Sequence, residues 1–289
     1  MGDNTTDAIT PFLKARRAAL DPRDLGFDDG PPRRRVHGLR REEVAQRAGI
    51  SVDYYTRIEQ GRAHGMSDSV LDAIARALRL TAGEHSYLRN ITRPAQHGDH
   101  EHSCELADHP RPIVPAAAQD LLDALDPASP AMIYGPGHDL LAWNRSGGVV
   151  TFDLERIEEA ELNSALLIFN DPGARELFPD WQLHADETVA TLRGDLGRQT
   201  SPSRLNAVIH RLHTENADFR RAWEAQRVAE QSHGHKRIRN PHVGDLDVTF
   251  QAFPIPAAPH LRLCVYTAPA GSVTAERLQR LAALVPEPV

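Results

Sequence analysis

Cysteine is scarce in this chain: 289 residues hold two, Cys104 and Cys264. Their wide separation and the absence of CxxC spacing argue against a disulfide framework or a cysteine zinc site, and leave two ordinary thiols. Long apolar runs are missing as well. None approaches the ~20 residues that a membrane-spanning helix needs, so no membrane association is expected. The opening MGDNTTDAIT lacks a basic stretch leading into an apolar one and does not read as a secretion signal, which makes a cytoplasmic chain the expectation. GxSxG, P-loop, GxGxxG and HExxH patterns are all absent, so neither an enzyme nor a bound cofactor is expected.

What is present is the composition of a water-exposed globular protein, 40% hydrophobic and 25% charged, in a length that suits two domains of unequal size. The net charge of −7 is unevenly spread. Residues 1–92 carry 15 Lys/Arg against 13 Asp/Glu, whereas the remainder carries 18 against 27. Residues 33–62 alone hold eight arginines and four acids. Phosphate neutralisation is local, so this basic segment, and not the whole-chain sum, decides whether nucleic acid is a partner.

Apolar spacing predicts helices at about 7–20, 40–47, 52–60, 68–79 and 83–91, with no proline between residues 39 and 80. The stretch 93–112 loses all apolar periodicity and reads as a linker. Beyond it the pattern mixes helices at 115–125, 171–178, 184–194, 202–213, 217–225 and 273–284 with short strands at 131–134 and 140–143. The alternating VGDLDVTFQAF at 243–253 and LRLCVYT at 261–267 are the clearest strand signals. The expected architecture is therefore multidomain, with an all-α five-helix domain at 1–92 followed by an α+β domain at 113–289.

The densest signal is REEVAQRAGISVDYYTRIEQGRAHGMSDSVLDAIARAL, residues 41–78. Two helices that cross steeply need a small residue at the contact and a turn tolerant of unusual backbone angles; Ala45 and Gly49 supply them. Tyr55 and Ile58 share a helical face and point inward with Val44, Ala48 and Ile50. Ser51 is placed to cap the second helix, and Asp53 in its first turn complements the helix dipole or accepts from cytosine N4. Val52, Asp53, Tyr54, Thr56, Arg57 and Gln60 fall on the outer side, where such a helix meets the major groove of double-stranded DNA. Arg57 suits a guanine edge because its guanidinium bonds O6 and N7 together. Arg41 and Arg62 suit phosphates, and Arg33, Arg34 and Arg35 precede the pair on a Gly/Pro loop.

This segment resembles the Cro/C1-type helix-turn-helix family over residues 39–80, through Ala45, Gly49, Ser51, Ile58, Glu59 and Gly61. Joined to Ala142-Trp143-Asn144-Arg145, DPGARELFPDW at 171–181, Leu192-Arg193, Trp223 and NPHVGDLDVTF at 240–250, the chain as a whole resembles the MmyB-like regulators of actinobacteria. Where that family usually has His before the proline of the last motif, this chain has Asn240, and the loop following Trp143 is more polar. The resemblance implies a transcription regulator whose second domain is PAS-like, with an antiparallel sheet flanked by helices, and binds a fatty-acid-like ligand.

An apolar cavity for such a ligand would draw on Trp143, Phe152, Phe169, Trp181 and Trp223, and its acid group would meet Asn144, Arg175 or Arg193. The ligand set read from the sequence is Trp143, Asn144, Phe169, Arg175, Trp181 and Arg193. No metal site is expected: His97, Asp99, His100, Glu101, His102 and Cys104 are closely spaced without a framework, as are His233 and His235. A homodimer is expected for a reader of paired half-sites. Alternative roles for the second domain are a protein-interaction module without ligand and, further off, a DNA-targeted enzyme. If the run Arg33-Arg34-Arg35 contacts phosphates, replacing all three by Ala should weaken binding to every DNA sequence and flatten the salt dependence by up to about three units of log–log slope. Titrations at several salt concentrations measure this, and an unchanged slope removes the run from the interface.

Overall fold

Two serines set the start of successive helices in the N-terminal part of the chain. Ser51 accepts from Tyr54 N at 3.1 Å and Ser67 from Val70 N at 3.4 Å, satisfying amides that have no partner inside the helix. The computed structural model describes residues 4–27, 38–63, 65–92, 106, 109–198, 202–229 and 232–284. The run Arg33-Arg34-Arg35 and most of the expected linker at 93–112 lie outside the described residues. Contact density divides the chain into two units: 1–100 with 196–199 and 223–229, and 101–195 with 200–222 and 230–289.

The first unit is built on α1 (Asn4–Ala18), α2 (Arg41–Ala48), α3 (Val52–Glu59), α4 (Asp68–Ala77) and α5 (Ala82–Thr92). Gly49 ends α2 with φ 67°, a left-handed conformation that costs a residue with a Cβ and turns the chain directly into α3. Phe12, Leu13, Val44, Ala45, Tyr55, Ile58, Ile74 and Leu88 are fully buried in one core. Within this apolar setting lies a carboxylate. Glu59, 0% exposed, accepts from Arg17 Nε at 2.8 Å and from Arg41 Nε at 2.7 Å, while Arg17 Nη1 donates to Leu39 O at 2.7 Å. One anion thereby joins α1, α2 and α3.

In the second unit the strands form a five-stranded antiparallel sheet, ordered β2-β1-β5-β4-β3, from β1 (Ala131–Tyr134), β2 (Leu140–Trp143), β3 (His233–Asn240), β4 (Gly244–Ile255) and β5 (Ala258–Thr267). Helix α6 (Ala116–Ala124) covers one face, packing Ala118 and Leu122 on Ala131, Ile133, Leu261 and Leu263. Paired residues share a face. The register Met132↔Cys264, Ala252↔Cys264, Phe250↔Tyr266, Lys236↔Val248 and Ile238↔Leu246 therefore places Met132, Cys264, Phe250, Tyr266, Lys236, Val248 and Ile238 together on the other face. The remaining helices are α7 (Gly147–Val150), α8 (Ser164–Asn170), α9 (Ala174–Leu177), α10 (Trp181–Arg198), α11 (Pro202–Glu215), α12 (Ala217–Glu224) and α13 (Val273–Leu284).

Three of these elements, α7, α8 and β3, were not expected from the sequence. Strand β3 reads HGHKRIRN, which has no run of β-formers; its inward positions are Gly234, Lys236, Ile238 and Asn240, so the hydrophobic alternation is absent although the sheet pairing is complete. Helix α8 is started by Asn163, whose Oδ1 accepts from Ala165 N at 3.0 Å and Leu166 N at 3.1 Å. The expected helix at 184–194 extends over Trp181–Arg198.

Burial alone would raise the Glu59 carboxyl, but hydrogen bonds from Arg17 and Arg41, reinforced by their charges, hold it below the ordinary value of 4.5. A depressed folded-state pKa contributes stability above the unfolded value and loses it as pH falls through the folded one. Glu59→Ala leaves Arg17 and Arg41 without their counter-ion and is expected to cost about 3 to 5 kcal/mol near neutral pH. Urea unfolding followed by circular dichroism should show this gap narrowing in acid; a loss below ~1 kcal/mol at pH 7 contradicts the role assigned to Glu59.

Candidate functional site

Helix α3 is fixed from behind and open in front. Tyr55, Ile58 and Glu59 are buried, whereas Ser51, Val52, Asp53 and Arg57 are exposed, Val52 at 43%, and Tyr54 and Thr56 are half-buried. Tyr54 also packs on the helical core. Arg62 is exposed just past the helix end. The structure thus brings Ser51, Val52, Asp53 and Arg57 to one surface with Arg62 at its border. Arg41 is differently engaged. Its Nε is held by Glu59, and this bond to a buried partner positions a guanidinium that is only partly exposed. Its expected role as a phosphate contact shares the side chain with a bracing role.

In the second unit the residues expected at a ligand fall into separate places. Asn144 Oδ1 accepts from Ala131 N and Gly147 N, both at 2.9 Å, and Nδ2 donates to Ser129 O at 2.9 Å. The amide staples the turn that follows β2, its oxygen and one of its two N–H groups being spent on the backbone. Trp143, on β2 opposite Met132, is half-buried. Phe169, Trp181 and Arg175 do come together, but in a packing cluster: Phe169 meets Trp181 and Phe219 edge to face at 6.0 and 5.3 Å, and Trp181 Nε1 donates to Ile168 O at 2.8 Å. The Arg175 side chain, 61% exposed, lies 3.7 Å over the Trp181 ring and pairs with Asp218. Arg193 is 2% exposed on α10 and holds contacts there. Two residues from both Thr191 and Asp195, it projects from a different side of the helix than they do.

Asn240, which stands at the family's His position, is likewise a staple. Its Nδ2 donates to Val149 O at 2.9 Å and Val150 O at 3.2 Å, and its Oδ1 accepts from His242 N and Val243 N. The amide ties the β3–β4 turn to α7.

A polar group that sequence reasoning missed lies on the inner face of the sheet. Tyr134, His138 and Lys236 are surrounded by protein at depth, yet each keeps accessible surface, as side chains lining an internal recess do. Lys236 Nζ stands 5.3 Å from the centre of the Phe250 ring and 5.9 Å from that of Tyr266. His138 adopts φ 69°, unusual for a residue with a Cβ, and its ring meets Tyr134 edge to face at 6.5 Å. Its Nδ1 lies 3.3 Å from Ser164 Oγ, and its Nε2 is buried with no hydrogen-bond partner among the described residues. Burial, with the nearby charges of Lys236 and Arg262, pushes the imidazole down to about 4, so it is neutral at pH 7. Burial likewise raises the Cys264 thiol to about 11 and the Tyr134 and Tyr266 phenols above their ordinary range, and lowers the Lys236 ammonium.

The strained position of His138 is held by a second buried ion pair. Asp139, fully buried, accepts from Arg204 Nη2 at 3.0 Å and from Asn163 Nδ2 at 3.0 Å, and Asn163 Nδ2 also reaches Gly137 O at 2.7 Å. Arg204 Nη1 donates to His109 O at 2.8 Å. These bonds fix the Pro136–His138 turn between β1 and β2 and aim the imidazole under the sheet. Among the described residues no three metal-ligating side chains come together, and no helix is long and apolar enough to cross a membrane. Cys264 is buried, and Cys104 lies outside the described residues.

A braced helix-turn-helix with an open second helix, followed by an α+β unit with a polar recess on its sheet, defines a DNA-binding transcription regulator with a ligand-binding C-terminal domain. The comparisons carry this to a family. The model of the MmyB-like transcription regulator ligand binding domain matches residues 114–281, and a helix-turn-helix domain model matches residues 12–88. The chain belongs to the MmyB-like transcription regulators. No curated protein matches it.

Proposed function

We propose that this regulator reads a two-site operator as a homodimer through α3, and that its C-terminal domain senses a small amphiphilic acid of the fatty-acid type. The observation that carries the DNA half is the exposed Ser51, Val52, Asp53 and Arg57 surface on a helix whose opposite side is fixed by Tyr55, Ile58 and Glu59. The observation that carries the ligand half is a recess whose polar groups are gathered in an otherwise apolar sheet face, the arrangement suited to a molecule with one polar end.

In this reading Arg57 contacts a base edge, while Arg41, Arg62 and the run Arg33 to Arg35 contact phosphates and set register. Arg57→Ala should cost about 1 to 3 kcal/mol at the operator and relax preference at one base pair, with the fold intact. Binding to an operator and its single-base variants at fixed salt measures both effects. Unchanged affinity and selectivity would remove Arg57 from the reading set.

For the ligand, organic extraction of the purified chain followed by mass spectrometry should release an amphiphilic acid in stoichiometric amount. A chain that releases none and binds no added long-chain acid would favour a domain that recruits a protein partner.

A further inference from the structure

Lys236 is in an unusual electrostatic position. Its Nζ reaches across the inner face of β4 toward β5, over the Phe250 and Tyr266 rings, and no carboxylate of the described residues forms an ion pair with it within 4 Å. An ammonium largely enclosed by protein without a counter-ion loses part of its solvation, which two aromatic faces replace only in part. Glu187 is close enough to attract it, and Asp195 to attract His138, but neither carboxylate pairs with Lys236. The ordinary solution for an enclosed cation is a carboxylate partner, as with Arg17 and Arg41 on Glu59, Arg16 on Glu84 and Arg204 on Asp139. Lys236 has no such carboxylate within 4 Å among the described residues.

The same recess holds groups able to complete an acid site. Tyr134 and Tyr266 are phenols kept protonated by burial, and so remain donors. His138 Nε2 is buried and unpartnered, and Met132 and Phe250 supply apolar wall. Of the arginines expected to meet an acid, Arg175 is engaged on Trp181 and Asp218.

We propose that Lys236 is the anchor of the ligand's acid group, and that the recess on the inner face of the sheet takes a monoanionic amphiphile, its acid at Lys236 beside Tyr266, Tyr134 and His138. This rests on the reading of the domain as a sensor of a small acid. Glu187 and Asp195 border the recess, so a single negative charge suits it and a doubly charged head group such as a phosphate monoester does not. The ligand supplies the counter-ion that the fold withholds, which makes acid recognition a condition of stabilising the inner face.

The test is calorimetric titration of the full chain with dodecanoate, methyl dodecanoate and dodecyl phosphate. The wild type should bind dodecanoate at least about tenfold more tightly than either of the others. Lys236→Met should lose about 10- to 100-fold for dodecanoate while leaving the ester unchanged, and Lys236→Arg should retain the preference for the acid. Thermal unfolding checks the fold of both variants; should the Met variant unfold, the acid-to-ester ratio of the wild type and of Lys236→Arg still decides. Equal binding of acid and ester by the wild type, or undiminished acid binding by a folded Lys236→Met, overturns the assignment of Lys236 and leaves the domain a binder of amphiphiles. Preference for the phosphate overturns the single-charge assignment. Failure of the wild type to bind any of the three overturns the sensor reading itself.

Discussion

A buried carboxylate shared between two arginines, Glu59 with Arg17 and Arg41, is what the arrangement of the helix-turn-helix depends on. Apolar packing brings α1, α2 and α3 together without fixing how far one slides or turns against another, because methyl and methylene contacts have no direction. The ion pairs do. Three helices meet at one anion through hydrogen bonds of defined geometry, and the exposed side of α3 takes its direction from that node. Asp139 with Arg204 has the same part in the second unit, where it fixes the turn that carries His138. In both places desolvation offsets much of the electrostatic gain, so the return is a single arrangement more than added stability.

The sheet of the second unit serves two purposes on its two faces. One is covered by Ala118 and Leu122 of α6 and closes as an ordinary apolar layer. The other gathers Lys236, Tyr134, Tyr266, Cys264 and His138 among Met132, Val248, Phe250 and Ile238. A core selected for stability alone would have no reason to place an unpaired ammonium there. In the proposed reading this departure from core logic is the ligand site, since conflict with local folding rules is expected where function makes its own demands.

The helix-turn-helix was legible because its evidence is local. Ala45, Gly49, Ser51, Tyr55 and Ile58 lie within fourteen consecutive positions, and each acts through a neighbour a turn or less away. Strands β4 and β5 were legible through alternation of apolar residues. Strand β3 was not, since its inward side chains are Gly234, Lys236, Ile238 and Asn240, and only pairing with β4 gives them a face. The recess was invisible for the same reason. Its groups come from β1, the turn after it, β3 and β5, distant in sequence and joined by the sheet. Asn144 and Asn240 look like recognition residues because they are amides beside aromatic or proline motifs; in the fold their hydrogen bonds are spent on backbone groups of their own unit.

The central claim is that a small acid in the second unit and DNA on α3 bias one equilibrium. Binding at two sites on one molecule is linked reciprocally: whatever factor the acid imposes on operator affinity, the operator imposes on acid affinity. The direct measurement is that pair of factors on the full chain, operator affinity with and without saturating dodecanoate and dodecanoate affinity with and without saturating operator. The account predicts two equal factors of about 5- to 150-fold, the ordinary range of allosteric coupling. Operator affinity that is the same at zero and saturating dodecanoate, with dodecanoate demonstrably bound, would contradict it.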